Sequence, residues 1–526
     1  MPTGCLRHTE LPHTTKLHAD LVYHFDRVSR FYGFDHNEAA SYQAAAGQID
    51  FTAAQRASLV ETLEEQNGGS PQLSLLAQPG TAAVVTGQQV GLFSGPCYTI
   101  YKALSAARLA RRLTEQRIPA VTVFWLATED HDLAEVNHCW SFDGSLRPVR
   151  IAFDMEPGGQ RPVGGVAPAQ YPVAALRESL AAWPHGEEIT ALVESCYSGG
   201  RPLGEAFGNL LRKLLAGYGI LFLDPMRPAV RSLAAPLIRR AVERAPDLYR
   251  LLSERSRELE SSGYHAQVLV EPETSLFFVL EGGQRLALRR NGGDYVAGGQ
   301  RWDAARLAAR AETLSPNVLL RPIVQDYLLP TIAYVGGPAE LAYLAQCEVA
   351  YRALLGRMPV AVPRSGFTLL DARAAKLLSR YELPVTACFH GVEPLRESIA
   401  GRLVPPELRA EFDLSQQETL SAIDRLRGRV AAMDGSLGAA VDKSRAKIAY
   451  QLAKIEGKVA RESLRRDQRA RDGAAYLFNL IHPEKHLQER LYSILPFLAR
   501  HGTGLIDRLF AHVRLDCPDH IVLDAD

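Results

Sequence analysis

The sequence predicts an α/β protein built on a parallel sheet, with two insertions in its core and a long helical seam towards its end. Three observations carry this prediction. The apolar run Ala82-Ala83-Val84-Val85, a stretch of helical periodicity and the β-branched, aromatic run "VTVFWL" (Val121–Leu126) follow one another at the spacing of a βαβ unit. That rhythm is broken twice by stretches rich in glycine and proline. Between about 420 and 460, apolar residues recur every three or four positions while charges fill the other faces.

Composition sets the class. A chain of 526 residues has room for three or four structural units, and 47% apolar with 22% charged residues suits a sizeable soluble core. The 59 basic and 59 acidic side chains cancel, which removes the general attraction for nucleic acid or an anionic membrane, so neither partner is expected. No run of about 18 apolar residues predicts a membrane helix. The start, "MPTGCLRHTELPHTTKLHAD", has no apolar segment behind a basic one, so no signal peptide is expected. The seven cysteines are scattered and form no CxxC pair, which points to reduced thiols in a cytoplasm and away from structural zinc.

The elements follow in order. Residues 1–80 read as a polar, mostly helical part of the core, with a breaker cluster at Asn67–Gln72. Thr81–Gly87 is a buried strand, Tyr98–Gln116 a helix and Val121–Leu126 a second strand, so 81–143 forms the first half of the core. The Gly- and Pro-rich segment 144–202 reads as a first insertion with hairpins. The core resumes over 203–262, with a helix at Leu203–Ala216, the strand "GILFL" (Gly219–Leu223) and helices across 228–262. A hairpin-like stretch, Ser275–Trp302, dominates a second insertion at 263–316. Residues 317–372 complete the core with a strand ending in Gly336-Gly337, a helix from Pro338 and a last strand and loop at Met358–Leu370.

A helical coiled-coil region spans 373–470, its seam being Leu420, Ile423, Leu426, Val430, Met433, Leu437 and Val441, then Ile448, Leu452, Ile455 and Val459. Gly428, Gly435 and Gly438 weaken the helix locally, so one unbroken coil is not required. The segment 471–526 is apolar enough to pack back on the core.

Three segments can carry chemistry. The first is "TGQQVGLFSGPCYTIYK", Thr86–Lys102, at a strand's carboxyl end, where open parallel sheets bind ligands. Gly87 ends the strand, Gly91 and Gly95 permit close backbone approach, and Pro96 suits a first helical turn. Gln88, Gln89, Ser94, Tyr98 and Lys102 would then surround a helix N-terminus suited to a phosphate or carboxylate. It is neither a Walker A loop nor GxGxxG.

The second segment is "FWLATEDHDLAEVNH", Phe124–His138, where Glu129, Asp130, His131 and Asp132 leave the second strand together, placed for acid–base work or for an amine. If helical, His131, Glu135 and His138 would share a face as metal ligands do, although the order HxxxExxH is not HExxH. The third runs from Arg321, Gln325 and Asp326 through Gly336, Gly337 and Pro338 to Glu340 and Tyr343, with Arg364 and Ser365 after the next strand. Cys97 and Cys347 read as core cysteines.

Taken together, "TGQQVGLFSGPCYTIYK", "FWLATEDHDLAEVNH" and "YVGGPAELAYLAQ" resemble the hallmark segments of the BshC family, the cysteine-adding enzymes of bacillithiol biosynthesis. The likeness runs along essentially the whole chain, through the late seam and "HPEKHLQER". It implies a Rossmann-like core similar to class I nucleotidyltransferases and aminoacyl-tRNA synthetases, two connective insertions, and a C-terminal coiled coil that makes a homodimer. The implied reaction joins L-cysteine to glucosaminyl malate. HIGH and KMSKS, the nucleotide signatures of those distant relatives, have no counterpart beyond "DKSRAK" at Asp442–Lys447, so ATP use stays open.

The chemistry then suggests roles. A carboxylate must be activated, commonly as an acyl adenylate or acyl phosphate, before an amine attacks it. Asp130 or His131 would take the amine proton, Glu129 and Asp132 would hold the ammonium, and Lys102 or Arg321 would offset developing negative charge. Gln88, Gln89, Ser94, Gly95, Pro96, Tyr98, Asn137, Arg321, Gln325, Asp326, Gly336, Gly337, Glu340, Tyr343 and Arg364 would bind substrate; no metal is expected. Two other classes remain: a metal-dependent hydrolase on His131, Glu135 and His138, and a non-catalytic coiled-coil assembly protein.

Overall fold

Alternation along the first apolar run decides the architecture. Ala82 and Val84 belong to one buried cluster and Ala83 and Val85 to another, so this strand is covered on both faces, as strands of parallel sheets are. The computed structural model describes residues 2–154 and 160–526; residues 155–159, inside the first expected insertion, lie outside the described residues. Two compact units divide the chain, one comprising residues 1–144, 148–368 and 488–525, the other 145–147, 369–487 and 526.

The first unit is built on five parallel strands: β1 (Ala82–Gln89), β2 (Ala120–Ala127), β3 (Ile220–Leu223), β4 (Thr331–Gly336) and β5 (Val360–Pro363). Their order across the sheet is β5-β4-β1-β2-β3, the doubly wound Rossmann order. Helix α1 (Tyr98–Glu115) covers one face with Ala106, Leu109, Ala110 and Leu113. Helix α3 (Pro338–Leu355) covers the other with Leu341, Leu344, Cys347 and Tyr351, while α2 (Arg321–Leu328) leads into β4. Cys97 and Cys347 are both buried, as expected. The chain leaves β1 to one side and reaches β4 on the other, so the crevice between their carboxyl ends is the switch point where such sheets bind ligands.

The insertions differ from expectation in their detail. Among its described residues the first, at 144–202, holds the strand Pro148–Ala152, paired antiparallel with His138–Phe142 just before it, and is then mainly helical, with helices Val173–Leu180 and Gly186–Cys196. Glycine and proline there shape connections between helices. The second insertion is a five-stranded antiparallel sheet, and Leu314–Pro316 joins it beside Thr274–Glu281. Residues 488–525 belong to this same unit, and their strand His520–Asp524 pairs with Pro2–Leu6.

In the second unit the seam is two helices, α4 (Pro406–Met433) and α5 (Gly435–Arg466), which turn at Asp434 and pack as a hairpin. Asp434 leaves helical conformation and its side chain accepts from Ser436 N–H, capping α5. Arg427–Asp442 and Arg445–Asp424 pair across the hairpin. Among the described residues no helix is long and apolar enough to cross a membrane.

Candidate active site

A cavity of about 510 Å³ opens at the switch point, a volume suited to a small-molecule ligand. Its first wall is the end of β1. Gly87 is required there, because a Cβ would stand 2.9 Å from Trp125 Cβ and carbonyl oxygen on β2. Gln88 and Gln89 follow into the cavity, and Tyr98 and Lys102 reach it from α1. Lys102 is buried. Its Nζ donates to Gly87 O and Gln88 Oε1 (3.2 Å) and pairs with Glu340 at 2.7 Å. Burial works against a charge on Glu340, but Lys102 and the Gly337 N–H (2.9 Å) outweigh it and hold the carboxyl below its usual range. The positive charge of Lys102 is thus matched within the protein.

Ser94, Gly95 and Pro96 are not at the cavity. The chain between β1 and α1 turns inward: Ser94 Oγ lies 3.1 Å from Ser493 Oγ, Pro96 bridges to Ser493, and Cys97 N–H donates to Tyr492 O. Gly95 has φ +64°, so this glycine serves the turn. The expected anion site at this helix start is therefore corrected. The segment after β1 is occupied by residues 492–493, which sequence distance concealed.

The exit of β2 brings Glu129, Asp130 and His131 to the cavity. Glu129 is buried, neither carboxyl oxygen has a hydrogen-bond partner among the described residues, and burial pushes its pKa up. Asp130 behaves oppositely. Burial is outweighed by hydrogen bonds from Gln89 Nε2 and His131 N–H (2.7 Å), which hold its carboxyl down. Asp132 turns away and caps the short helix Leu133–Val136, accepting from Glu135 N–H at 3.3 Å. Asn137 donates to Phe153 O instead of facing the ligand space.

The metal-ligand arrangement is also corrected. His131 precedes that four-residue helix and His138 opens a strand, so the two do not share a helical face. Glu135 accepts from Gln89 at 3.0 Å. Among the described residues, no group of three or more His, Cys, Asp or Glu side chains is placed to hold a metal ion.

From α2, Arg321 lines the cavity. It donates to Tyr343 Oη at 2.6 Å and reaches Gln325 Oε1 at 3.5 Å, with no carboxylate at ion-pair distance among the described residues. Gln325 and Asp326 are buried behind it, Asp326 accepting from Tyr351 Oη and Gln325 Nε2, so they support the fold and do not line the cavity. Gly337, Glu340 and Tyr343 line the cavity; Gly336, the last residue of β4, lies behind. Arg364 lines it too, but its guanidinium is clamped by Glu489 at 2.6 and 2.8 Å.

Two cavity cations were not singled out by sequence reasoning. Arg285 comes from the second-insertion strand Gln284–Asn291, and Arg490 from the short helix Gln488–Leu491. Arg490 is exposed and has no carboxylate at ion-pair distance among the described residues. The fragment "HPEKHLQER" held the one available signal for Arg490. Arg285 sits among several surface arginines in a Gly-rich stretch and had none.

A family model described as "Bacillithiol biosynthesis BshC, N-terminal Rossmann-like domain" matches residues 1–365, and one described as "Bacillithiol biosynthesis BshC, C-terminal coiled-coil domain" matches 367–525. A "Putative cysteine ligase BshC" of Solibacter usitatus (strain Ellin6076) is 54% identical, covering 99% of this chain and 100% of the relative. Proteins of the same description from Koribacter versatilis (strain Ellin345) and Salinibacter ruber (strain DSM 13855 / M31) are 35% and 32% identical, covering 99% and 96% of this chain and 100% and 96% of their own. With the Rossmann strand order, the switch-point cavity and these full-length matches agreeing, the chain belongs to the BshC family.

Proposed function

We propose that this protein joins L-cysteine to glucosaminyl malate through an amide bond, as the last step of bacillithiol biosynthesis, acting in the cytoplasm as a homodimer paired through α4 and α5. The ligase class is drawn from the relatives, described as cysteine ligases. One observation carries the rest: the cavity holds cations and a carboxyl that make no direct ion pair or hydrogen bond with an opposite group. Among the described residues Arg321 and Arg490 have no carboxylate at ion-pair distance, and the Glu129 carboxyl has no hydrogen-bond partner although Arg285 and Arg321 stand within electrostatic reach. A substrate bearing carboxylates and one bearing an ammonium are complementary to that pattern.

In this reading Arg321 and Arg490 take the malate carboxylates, and Glu129 receives the glucosaminyl ammonium. A carboxyl raised by burial is a better match to an amine than an ordinary one, so Glu129 also accepts the proton that must leave before attack. Asp130, tied to Gln89 and His131, positions that segment. ATP, when bound, would supply activation of the cysteine carboxyl. Purified protein with glucosaminyl malate and cysteine, with and without ATP, tests the reading by mass spectrometry. Product dependent on ATP is expected; product without it would remove the nucleotide from the scheme, and no product in either arm would overturn the ligase reading.

A further inference from the structure

We propose that His131 acts as a neutral hydrogen-bond donor, locked in its Nε2–H form by Arg285, and not as the proton acceptor of the reaction. The tautomer is a matter of geometry; the oxygen it serves rests on the ligase reading above.

Arg285 is buried and each of its side-chain nitrogens is committed. Nε donates to Ser315 Oγ (3.1 Å), Nη2 to Pro316 O (2.9 Å) and Nη1 to His131 Nδ1 (2.9 Å). The Phe278 ring lies 3.8 Å from the guanidinium carbon and 5.3 Å from the imidazole. A guanidinium has only donors and stays charged in proteins. Nδ1 must therefore be the acceptor, and a neutral imidazole then carries its proton on Nε2.

This is the reverse of the arrangement that makes a histidine a base, in which a carboxylate accepts from Nδ1–H. Asp130 does not supply one. Its Oδ1 lies 3.7 Å from Nδ1, beyond hydrogen-bonding distance, and accepts the His131 backbone N–H instead. The charged groups facing the ring are thus Arg285, Asp130 and, more weakly, Asp132. Burial first and Arg285 second outweigh the two carboxylates and pull the histidine below its ordinary value.

His131 lines the cavity, and Nε2 has no protein partner among the described residues. As the glucosaminyl nitrogen adds to the activated carboxyl carbon of cysteine, a C–N bond forms and the C=O π pair moves onto oxygen. His131 Nε2–H donates to that oxygen and keeps its proton. The pair then returns, and the phosphate-type leaving group departs with its bonding electrons and the second nitrogen proton, Glu129 having taken the first before attack. His131 is the catalytic donor and Arg285 the positioning residue.

The test uses full-length protein labelled with ¹⁵N-histidine, the His131 signals being those lost in His131→Gln. At neutral pH, Nδ1 should be unprotonated and Nε2 protonated, with the ring titrating below about 6.5. Arg285→Met should mix the tautomers and raise the midpoint. In the ligase assay, His131→Leu should lose about 10²–10³-fold in kcat, the range for removing one oxyanion donor, while His131→Gln, which keeps an N–H, should recover at least roughly a tenth of wild type. A proton on Nδ1 in the unmodified protein, or a Gln variant as inactive as the Leu variant, would overturn the proposal. The spectrum of the unmodified protein decides the tautomer even if Arg285→Met does not fold. It needs no turnover, so a failed ligase assay would sink the functional reading and leave the tautomer standing.

Discussion

At the scale of single residues, neighbouring acids at the end of one strand are set to opposite tasks. Glu129 is buried with no hydrogen-bond partner among the described residues, and its pKa lies above the usual carboxyl value, whereas Asp130 is hydrogen-bonded and lies below it. A raised carboxyl pKa means the folded protein holds the proton longer than the unfolded chain. The associated stability is full below about pH 4.5 and is lost as pH rises through the folded value. Glu129→Gln removes that loss while keeping the side chain's shape. At neutral pH its melting temperature should equal or exceed that of the parent, while kcat for cysteine addition falls about 10²–10⁴-fold, the span for a general base. Paired melting curves and turnover assays check this; a variant with lower Tm and normal turnover would show that Glu129 serves the fold alone.

At the scale of elements, the link between β1 and α1 has changed meaning. Its glutamines, Tyr98 and Lys102 serve the cavity, but Ser94, Gly95 and Pro96 pack against the 492–493 segment. Gly95→Val should therefore act on stability. At φ +64° a β-branched side chain costs roughly 1–2 kcal/mol, and affinity for glucosaminyl malate in the folded fraction should be unchanged. Calorimetric titration beside a melting curve measures both, and a selective loss of affinity would return the loop to the site. The α4–α5 hairpin owes little to its Arg427–Asp442 and Arg445–Asp424 pairs, since such exposed pairs contribute about 0–1 kcal/mol.

At the scale of the whole molecule, that hairpin leaves much of its seam in water. Leu426 is 55% exposed, Ile448 37% and Ile455 50%, and Met433 beside the turn 86%. Exposed apolar surface of this kind favours association, so light scattering should report a dimer at micromolar concentration. Replacing Leu426, Ile448 and Ile455 together by Glu should yield monomers of unchanged helicity; a parent protein already monomeric would refute the dimer.

The first unit should also fail in acid. Arg364 outweighs burial and holds Glu489 down at about 2, while burial keeps His520 and His36 at about 4. The unfolded histidines take up protons as pH falls below about 6.5, and unfolded carboxylates below about 4.5. Stability is thus full above about pH 6.5 and is lost progressively as pH falls towards about 2. Melting temperatures across this range should fall in two stages, and His520→Gln should flatten the first.

Sequence alone determined the elements whose information is local. The continuous apolar runs of β1 and β2 and the period of α1 state their own burial, because a strand apolar at every position is covered on both faces and a helical period marks one. The residues around strand exits followed for the same reason: Gln88, Gln89, Glu129, Asp130 and His131, with Glu340 and Tyr343 on the first turns of α3, lie where a parallel sheet opens its crevice. What only tertiary structure decided is every feature that joins distant segments. Residues 492–493 fill the space beside Gly95 and Pro96, Glu489 neutralises Arg364, and Arg285 arrives from an antiparallel insertion to dictate the proton on His131. The turn at Asp434 likewise converts one long seam into a hairpin. Hydrogen-bond partners and matched charges depend on distances of about 3 Å between residues hundreds of positions apart, and periodicity carries no record of them.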